Sequence, residues 1–327
     1  MDVLSPIKEQ VERINQLRSN LNLASVITHI ERANYFFERG KDENDEQFFT
    51  DVVYRTNQAF EGCSRQGYMI LAGKTEEQSQ NIKAYQIEKY FIDNNILNDR
   101  VLPQFKNYRD NWRNESAHNF KLFFNEEEAY FAILNVLSYA YVLFNQMTTK
   151  LGAEIELEKL KKEEINLKRI RGRLKKKELS LKEKIILLIQ TFDEENELSG
   201  TKDEGTTGFF VSEAQVIGML STYFTEMTNK EIVIQVEKRI GFGSTRGLIA
   251  DMYIEWEGEK LILELKRFAR ASIDSVVEQV SNYLLASEVN EGIAYIFNST
   301  KSKTKLERQD LKVTKGDRDL SITFLSK

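Results

Sequence analysis

Two short apolar runs separated by a turn limit most strongly how this chain can fold. The runs cover residues 247–256 and 260–266, and Glu257-Gly258-Glu259 between them has the composition of a turn. Each run has the length of a β-strand, and a turn of this kind favours antiparallel pairing of the strands that flank it. The sequence therefore predicts a β-hairpin in this region.

The second run of the hairpin places an acidic and a basic residue side by side. Because successive strand side chains point to opposite faces, Glu264 and Lys266 share one face, and Asp251 in the first run can meet them across the hairpin. Two carboxylates in this position can bind a hard cation such as Mg²⁺, which prefers oxygen ligands and keeps several waters. The lysine could then orient or help to deprotonate a water. Leu261, Leu263 and Leu265 occupy the opposite face, and Ile262 shares the face of the charged pair.

A group of three charged residues also arises by chance in a chain with 51 acidic and 46 basic residues. The flanking segments favour a folded site. Residues 212–227 have the pattern of an amphipathic helix with Glu213 in its first turn, and residues 272–287 have the pattern of a second helix that carries Gln279. The segment 292–297 resembles a strand. Helix, hairpin, helix and strand in this order predict an α/β domain.

With this order of elements, residues 205–327 resemble the PD-(D/E)XK, or restriction-endonuclease-like, nuclease superfamily. The resemblance implies a mixed β-sheet flanked by helices, two acidic metal ligands for Mg²⁺ or Mn²⁺, a catalytic lysine, a supporting acid on the first helix and a polar residue on the next. Ala250 replaces the nominal proline of the motif, a change that is frequent in the superfamily. In the same order, the implied site residues are Asp251, Glu264, Lys266, Glu213 and Gln279.

The whole chain has the composition of a globular protein with two domains. It has 327 residues, of which 41% are hydrophobic and 30% are charged. No apolar run approaches the roughly 18 residues needed to span a membrane, and the N-terminus lacks a signal segment, so we expect a cytoplasmic protein without membrane contact. Cys63 is the single cysteine, which excludes an internal disulfide. The net charge of −5 means that any nucleic-acid contact must come from local basic patches.

The first 150 residues predict an all-α domain. The chain contains only two prolines, and long helical periodicity runs through this half with little strand character. Asn125 is a suitable N-cap for the last helix. The predicted helices are Pro6–Arg39, Asp45–Leu71, Gln78–Asn94, Arg100–Arg113 and Glu126–Leu151.

A second motif lies in the helical half, between two predicted helices. Arg113, Asn114 and His118 form an arrangement that suits a metal-free ribonuclease, in which a histidine moves protons and an arginine stabilises the charge of the phosphorane. Residues 1–150 resemble the HEPN domain family, which implies an active site completed across a homodimer. The alternative is that the motif only caps helices. Phe120 stands where some HEPN toxins have a modified tyrosine, so that form of regulation is not expected.

Residues 151–204 predict a charged helical connector that ends in a flexible boundary. From Lys159 to Lys184 the segment has 12 Lys or Arg against 4 Glu, so one face could meet phosphates, or the charges could only solvate an exposed helix. Leucines recur every seven residues, which predicts a long helix. A coiled coil needs a second row of apolar residues, and polar residues occupy those positions here. A docking helix or a weak dimer contact therefore fits better than a strong leucine zipper. These leucines are Leu160, Leu167, Leu174, Leu181 and Leu188.

Three arginines near the hairpin are candidate phosphate contacts. Arg246 lies in the glycine-rich segment 241–247, which a strand follows, so this segment predicts a lip beside the site and not a phosphate-binding loop. Arg267 and Arg270 follow the second strand. They could contact a nucleic-acid backbone, although no motif that reads bases is evident.

Together these patterns predict a Mg²⁺-dependent endodeoxyribonuclease domain, residues 205–327, joined to a HEPN-like helical domain, residues 1–150. The two resemblances imply a homo-oligomer in bacterial antiphage defence or restriction. One alternative is a HEPN ribonuclease whose C-terminal domain binds or senses nucleic acid. Another is a non-catalytic, oligomeric, nucleic-acid-binding subunit.

Overall fold

The computed structural model of the chain describes residues 4–96, 106, 108, 123–162, 164–175, 179–196, 198, 211–241, 247–267, 272–287, 289–297 and 305–326. The chain divides into two compact units, residues 1–151 and 152–327. The described part of unit 1 is helical, and unit 2 contains a six-stranded mixed sheet with helices. A helical part followed by an α/β part is therefore confirmed. Within the described residues, no helix is both long enough and apolar enough to cross a membrane.

The described helices of unit 1 surround an apolar core that includes Phe60, whose ring packs 4.6 Å from that of Tyr139. The predicted cap of the last helix is present, because the backbone N–H of Glu128 donates to Asn125 Oδ1 at 2.9 Å. That helix continues beyond the boundary of unit 1 at residue 151. The helices are α1 (Ser5–Leu17), α2 (Leu23–Glu43), α3 (Glu46–Leu71), α4 (Glu76–Asn81), α5 (Ala84–Asp93) and α6 (Glu126–Lys162).

Two of the helices predicted for unit 1 are each divided in two. The prediction for 6–39 is wrong at Arg18, which adopts an extended conformation between α1 and α2. The prediction for 78–94 is wrong at Ile82, where the chain is extended between α4 and α5. The guanidinium of Arg65 donates to the carbonyls that end α4, including that of Gln80 at 3.1 Å, which stabilises this break. The helix predicted for 100–113 lies outside the described residues, except for positions 106 and 108.

The segment predicted as a connector folds as part of unit 2. It contains the end of α6, then α7 (Glu164–Leu174) and α8 (Leu181–Glu195), and not one long helix. Four leucines of the seven-residue repeat are buried in an apolar core shared with the sheet. The repeat therefore reflects burial within an α/β unit, because a helix that packs on a sheet needs the same apolar stripe as one that packs on another helix. These leucines are Leu160, Leu174, Leu181 and Leu188.

The sheet of unit 2 has the strand order β1-β2-β3-β4-β6-β5. Strands β1, β2 and β3 form an antiparallel meander, β4 and β6 run parallel to β3, and β5 is antiparallel to β6. The helices predicted before and after the hairpin are present as α9 and α10. The remaining elements of unit 2 are α9 (Glu213–Met227), β1 (Val233–Ile240), β2 (Leu248–Trp256), β3 (Glu259–Arg267), α10 (Ile273–Ser287), β4 (Glu291–Phe297), β5 (Glu307–Lys315) and β6 (Arg318–Ser326).

The predicted hairpin is confirmed, and so is the alternation of its second strand. Leu261, Leu263 and Leu265 enter a core on the side of the sheet that faces α7, α8 and α9. Ile262 enters a second core, on the side of α10. Both faces of β3 are therefore covered, and any polar side chain on it needs a partner inside the protein.

Candidate functional site

The two strands of the hairpin pair regularly near the turn and separate at the other end. Their ladder runs from Trp256 opposite Glu259 to Met252 opposite Leu263, and no further pairs join β2 and β3 among the described residues. Beyond that point β3 continues to pair with β4, and β2 continues to pair with β1. The hairpin is therefore splayed at the end where the predicted acidic residues lie.

Two carboxylates occupy the gap between the separated strands. The backbone N–H of Leu265 donates to Asp251 Oδ2 at 2.7 Å, and the backbone N–H of Asp251 makes a longer contact of 3.4 Å with Glu264 Oε2. In a regular ladder a carbonyl of the opposite strand would accept these bonds. The side chains thus take over backbone hydrogen bonding at the point where the strands separate.

The alternation of side chains along β2 is interrupted at Asp251. Met252 and Ile254 lie in the core beside α8 and α9, whereas Ala250, two positions before Met252, lies in the core beside α10. In a regular strand these alternate residues would share a face. The facing strand is also irregular here, because Glu237 of β1 has a positive φ of 49°. This double irregularity explains how a polar side chain at 251 lies between two apolar layers.

The Glu264 carboxylate is almost completely buried, with 1% of the residue exposed. Its Oε1 atom accepts hydrogen bonds from Lys266 Nζ at 2.6 Å and from Gln279 Nε2 at 2.8 Å. Lys266, two residues further along the same strand, keeps 22% of its side chain exposed. A buried carboxylate needs such partners, because removing it from water without them costs several kcal/mol.

Sequence reasoning missed Tyr283. It lies one turn after Gln279 on α10 and is 4% exposed, and its hydroxyl accepts the second hydrogen bond of the Gln279 amide, at 2.5 Å. Burial, together with the negative charge of Glu264, raises the pKa of Tyr283 to about 12. The sequence signal that could have identified Tyr283 is its position four residues after Gln279, since residues four apart share a helix face.

Glu213 reaches the same end of β3 from the start of α9. Ser212 caps this helix through a hydrogen bond from the Gln215 backbone N–H to its hydroxyl, at 3.2 Å. Glu213 Oε1 accepts the backbone N–H of Arg267 at 3.0 Å. The structure therefore places Glu213 beside the residue that follows Lys266.

The electrostatics of the group are those of crowded acids. The pKa of Asp251 is well above its ordinary range, because burial, Glu264 and Glu213 all disfavour its charge more than the Leu265 N–H and Lys266 favour it. Burial also raises the pKa of Glu264, although Lys266 opposes this effect. Burial alone would lower the pKa of Lys266, but the attraction and hydrogen bond of Glu264, together with the charges of Asp251 and Glu213, outweigh burial and the pKa is raised.

The donor set fits a hard cation that keeps part of its water shell. No three His, Cys, Asp or Glu side chains converge into a complete metal site among the residues that the structure describes. Asp251 and Glu264 nevertheless supply two neighbouring carboxylates, and Mg²⁺ is commonly bound by one or two carboxylates together with waters. A divalent cation between them would offset the repulsion from Glu264 that, in addition to burial, raises the pKa of Asp251.

All five residues that the sequence implied for the acidic site lie on the elements around the splayed end. Of the predicted phosphate contacts, Arg267 is described, and Arg246 and Arg270 lie outside the described residues. The same holds for the second motif, Arg113, Asn114 and His118. Comparison of the chain with protein-family models, with curated proteins and with solved structures gives no match.

Proposed function

We propose that the chain is a metal-dependent endonuclease that hydrolyses phosphodiester bonds of DNA. The observation that carries the proposal is the pair of carboxylates, Asp251 and Glu264, held with Lys266 at the splayed end of a hairpin. Acids with raised pKa values, such as Asp251 and Glu264, are concentrated at functional sites, because catalytic and metal-binding groups need an acidity different from that of a free side chain. The order α9-β1-β2-β3-α10-β4 supports a restriction-endonuclease-like fold for unit 2.

The side chains of the site have separable roles in this proposal. Asp251 and Glu264 would hold Mg²⁺ or Mn²⁺, which would supply an activated water and offset charge on the scissile phosphate. Lys266 has a raised pKa and stays protonated, so it would orient the attacking water and favour loss of the water's proton through its positive charge. Gln279 holds the Glu264 carboxylate by donating to Oε1, and Glu213 fixes the end of β3 through the Arg267 N–H.

The remaining parts of the proposal rest on the sequence. The resemblance of residues 1–150 to HEPN domains, combined with that of residues 205–327 to the nuclease superfamily, favours a cytoplasmic homo-oligomer in bacterial antiphage defence or restriction. The second candidate is a HEPN-type ribonuclease. Its support is the spacing of Arg113, Asn114 and His118, with Asn114 directly after the arginine.

A cleavage panel tests the proposal and separates the candidates. Double-stranded DNA, single-stranded DNA and RNA are incubated with the full chain in Mg²⁺ or Mn²⁺ and in EDTA. We expect DNA cleavage that requires the metal, that is lost in Glu264→Gln, and that persists in His118→Ala. Glu255→Gln is the matched control, because it neutralises an acid of β2 at the turn end of the hairpin.

The other outcomes are equally distinct. RNA cleavage that survives EDTA and disappears in His118→Ala would replace the proposed DNase with the HEPN ribonuclease. Binding of nucleic acid without cleavage of any substrate would favour a non-catalytic subunit. DNA cleavage of equal rate in wild type and Glu264→Gln would exclude the acidic site as the catalytic centre.

A further inference from the structure

We infer that Gly152 is a positioning residue for the acidic site, because it lets α6 pack against the first turn of α9 and thereby sets where Glu213 meets the end of β3. Gly152 lies in the part of α6 that belongs to unit 2 and is buried. The catalytic consequence rests on the proposed function, whereas the structural part does not.

The contact at Gly152 is backbone against backbone. A Cβ atom at this position would lie 2.5 Å from the carbonyl oxygen of Gln215 and 3.2 Å from its carbonyl carbon. Real Cβ contacts essentially never fall below 3.0 Å. At the other crowded glycines that the structure describes, the nearest atom belongs to a side chain, such as Val280 opposite Gly292. Side chains can rotate away, but the Gln215 carbonyl can move only together with its helix.

Gln215 and Glu213 belong to the same rigid turn. The Gln215 backbone N–H is held by the cap Ser212, and Glu213 is the first residue of the helix. An ordinary van der Waals contact begins at 3.4 Å, so an alanine at 152 would require a movement of about 0.9 Å between the two backbones. Because the first turn of α9 moves as one body, Glu213 would move with it.

A movement of Glu213 would act on β3, the strand that carries Glu264 and Lys266. Its Oε1 atom accepts the Arg267 N–H at 3.0 Å, and Arg267 directly follows Lys266. A displacement of about 0.9 Å would break this hydrogen bond or would shift the end of β3. In enzymes, a misplacement of about 1 Å caused far from the chemistry can reduce the rate by a factor of about 100.

The test compares Gly152→Ala with Gly172→Ala in the full chain. Gly172 lies in helix α7, and nothing lies within 4 Å of a Cβ built there, so it provides the same change without the clash. Two quantities are measured: hydrogen exchange of the Arg267 amide, and the maximal rate of metal-dependent cleavage at saturating DNA. We expect Gly152→Ala to speed the exchange at least tenfold and to lower the rate about 100-fold, and Gly172→Ala to change neither.

A double variant distinguishes positioning from a general structural role. If Gly152 acts through Glu213, Gly152→Ala combined with Glu213→Gln should lose no more activity than Glu213→Gln alone. Additive losses, unchanged Arg267 exchange in Gly152→Ala, or failure of that variant to fold would each overturn the inference. If the wild type cleaves nothing, the proposed function fails, and the exchange measurement still decides the role of Gly152.

Discussion

The two ends of the β2–β3 hairpin satisfy their backbone N–H groups in different ways. At the turn end the strands pair through regular backbone hydrogen bonds, and the opposite charges of Glu255 and Lys260 face each other across the ladder. Helix α8 secures this end, because Lys184 Nζ lies 2.6 Å from Glu257 Oε2 and the Leu181 N–H donates to Glu259. At the site end the strands separate, and carboxylates accept the backbone N–H groups.

The difference shows where the protein gives up stability. Regular pairing satisfies N–H groups without burying charge, whereas the site end holds the buried carboxylate of Glu264 beside the half-buried one of Asp251 and keeps both pKa values raised. Groups with such values destabilise the folded state when they ionise. We infer that the turn end holds the hairpin together and that the site end is arranged for chemistry.

The largest expected effect contrasts two lysines on the same strand. Lys266→Met should lower the rate of metal-dependent DNA cleavage by a factor of about 100 or more, because one preorganised donor directed at the developing charge contributes at least that much. Lys260→Met, at the turn end and exposed, is the matched control and should leave the rate unchanged. Single-turnover cleavage in Mg²⁺ measures both. Equal losses in the two variants would show that the ends of the hairpin do not differ in function.

A smaller effect concerns the stability of the metal-free protein. In EDTA, Asp251→Asn should raise the free energy of unfolding at neutral pH by about 1–2 kcal/mol, while cleavage is lost. The folded-state pKa of Asp251 is raised, so its contribution to stability is fully present below its unfolded pKa of about 4 and is lost as the pH rises through the folded value. The asparagine removes that loss and can still accept the Leu265 N–H through its amide oxygen.

Urea titrations at several pH values measure this change. The stability of Asp251→Asn relative to wild type should grow from near zero at about pH 4 towards neutral pH. Glu255→Gln is the control at the turn end and should show no such growth. A variant at 251 that is less stable than wild type at neutral pH would contradict the view that the site end reduces stability.

The smallest effect belongs to the turn itself. Gly258 has a positive φ of 82° with free space around it, so Gly258→Ala should cost about 1 kcal/mol of stability from backbone strain alone. The affinity for Mg²⁺ should not change, because the turn lies at the opposite end of the ladder. Urea titration and a metal titration of the same sample measure the two quantities. A weaker affinity for Mg²⁺ would show that the two ends are coupled.

Local patterns in the sequence predicted much of this hairpin. Alternation along β3 correctly assigned Leu263 and Ile262 to opposite faces, and the polar residues of the predicted site lie on the expected elements. The change of face at Asp251 could not be predicted from a period of two, because it depends on how β1 and β4 pair with the hairpin.

The charged segment that follows α6 shows a different limit. Its leucine repeat predicts an apolar stripe on a helix, but a stripe does not specify what covers it. The chain leaves the helix after Leu174, so the segment does not form one long helix, and its helices pack in unit 2. Lys184, the last residue of the basic segment that could meet phosphates, pairs with Glu257. Tertiary packing decided the outcome, and the spacing of leucines carries no information about it.

Binding of Mn²⁺ tests the central claim, that Asp251 and Glu264 hold a divalent cation, most directly. The paramagnetic resonance signal of free Mn²⁺ is titrated with wild type, Glu264→Gln and Glu255→Gln, without nucleic acid. We predict binding by wild type and by Glu255→Gln, and its loss in Glu264→Gln, because only the carboxylate at the splayed end is a metal ligand. Equal binding by all three proteins, or no binding by wild type, would contradict the account.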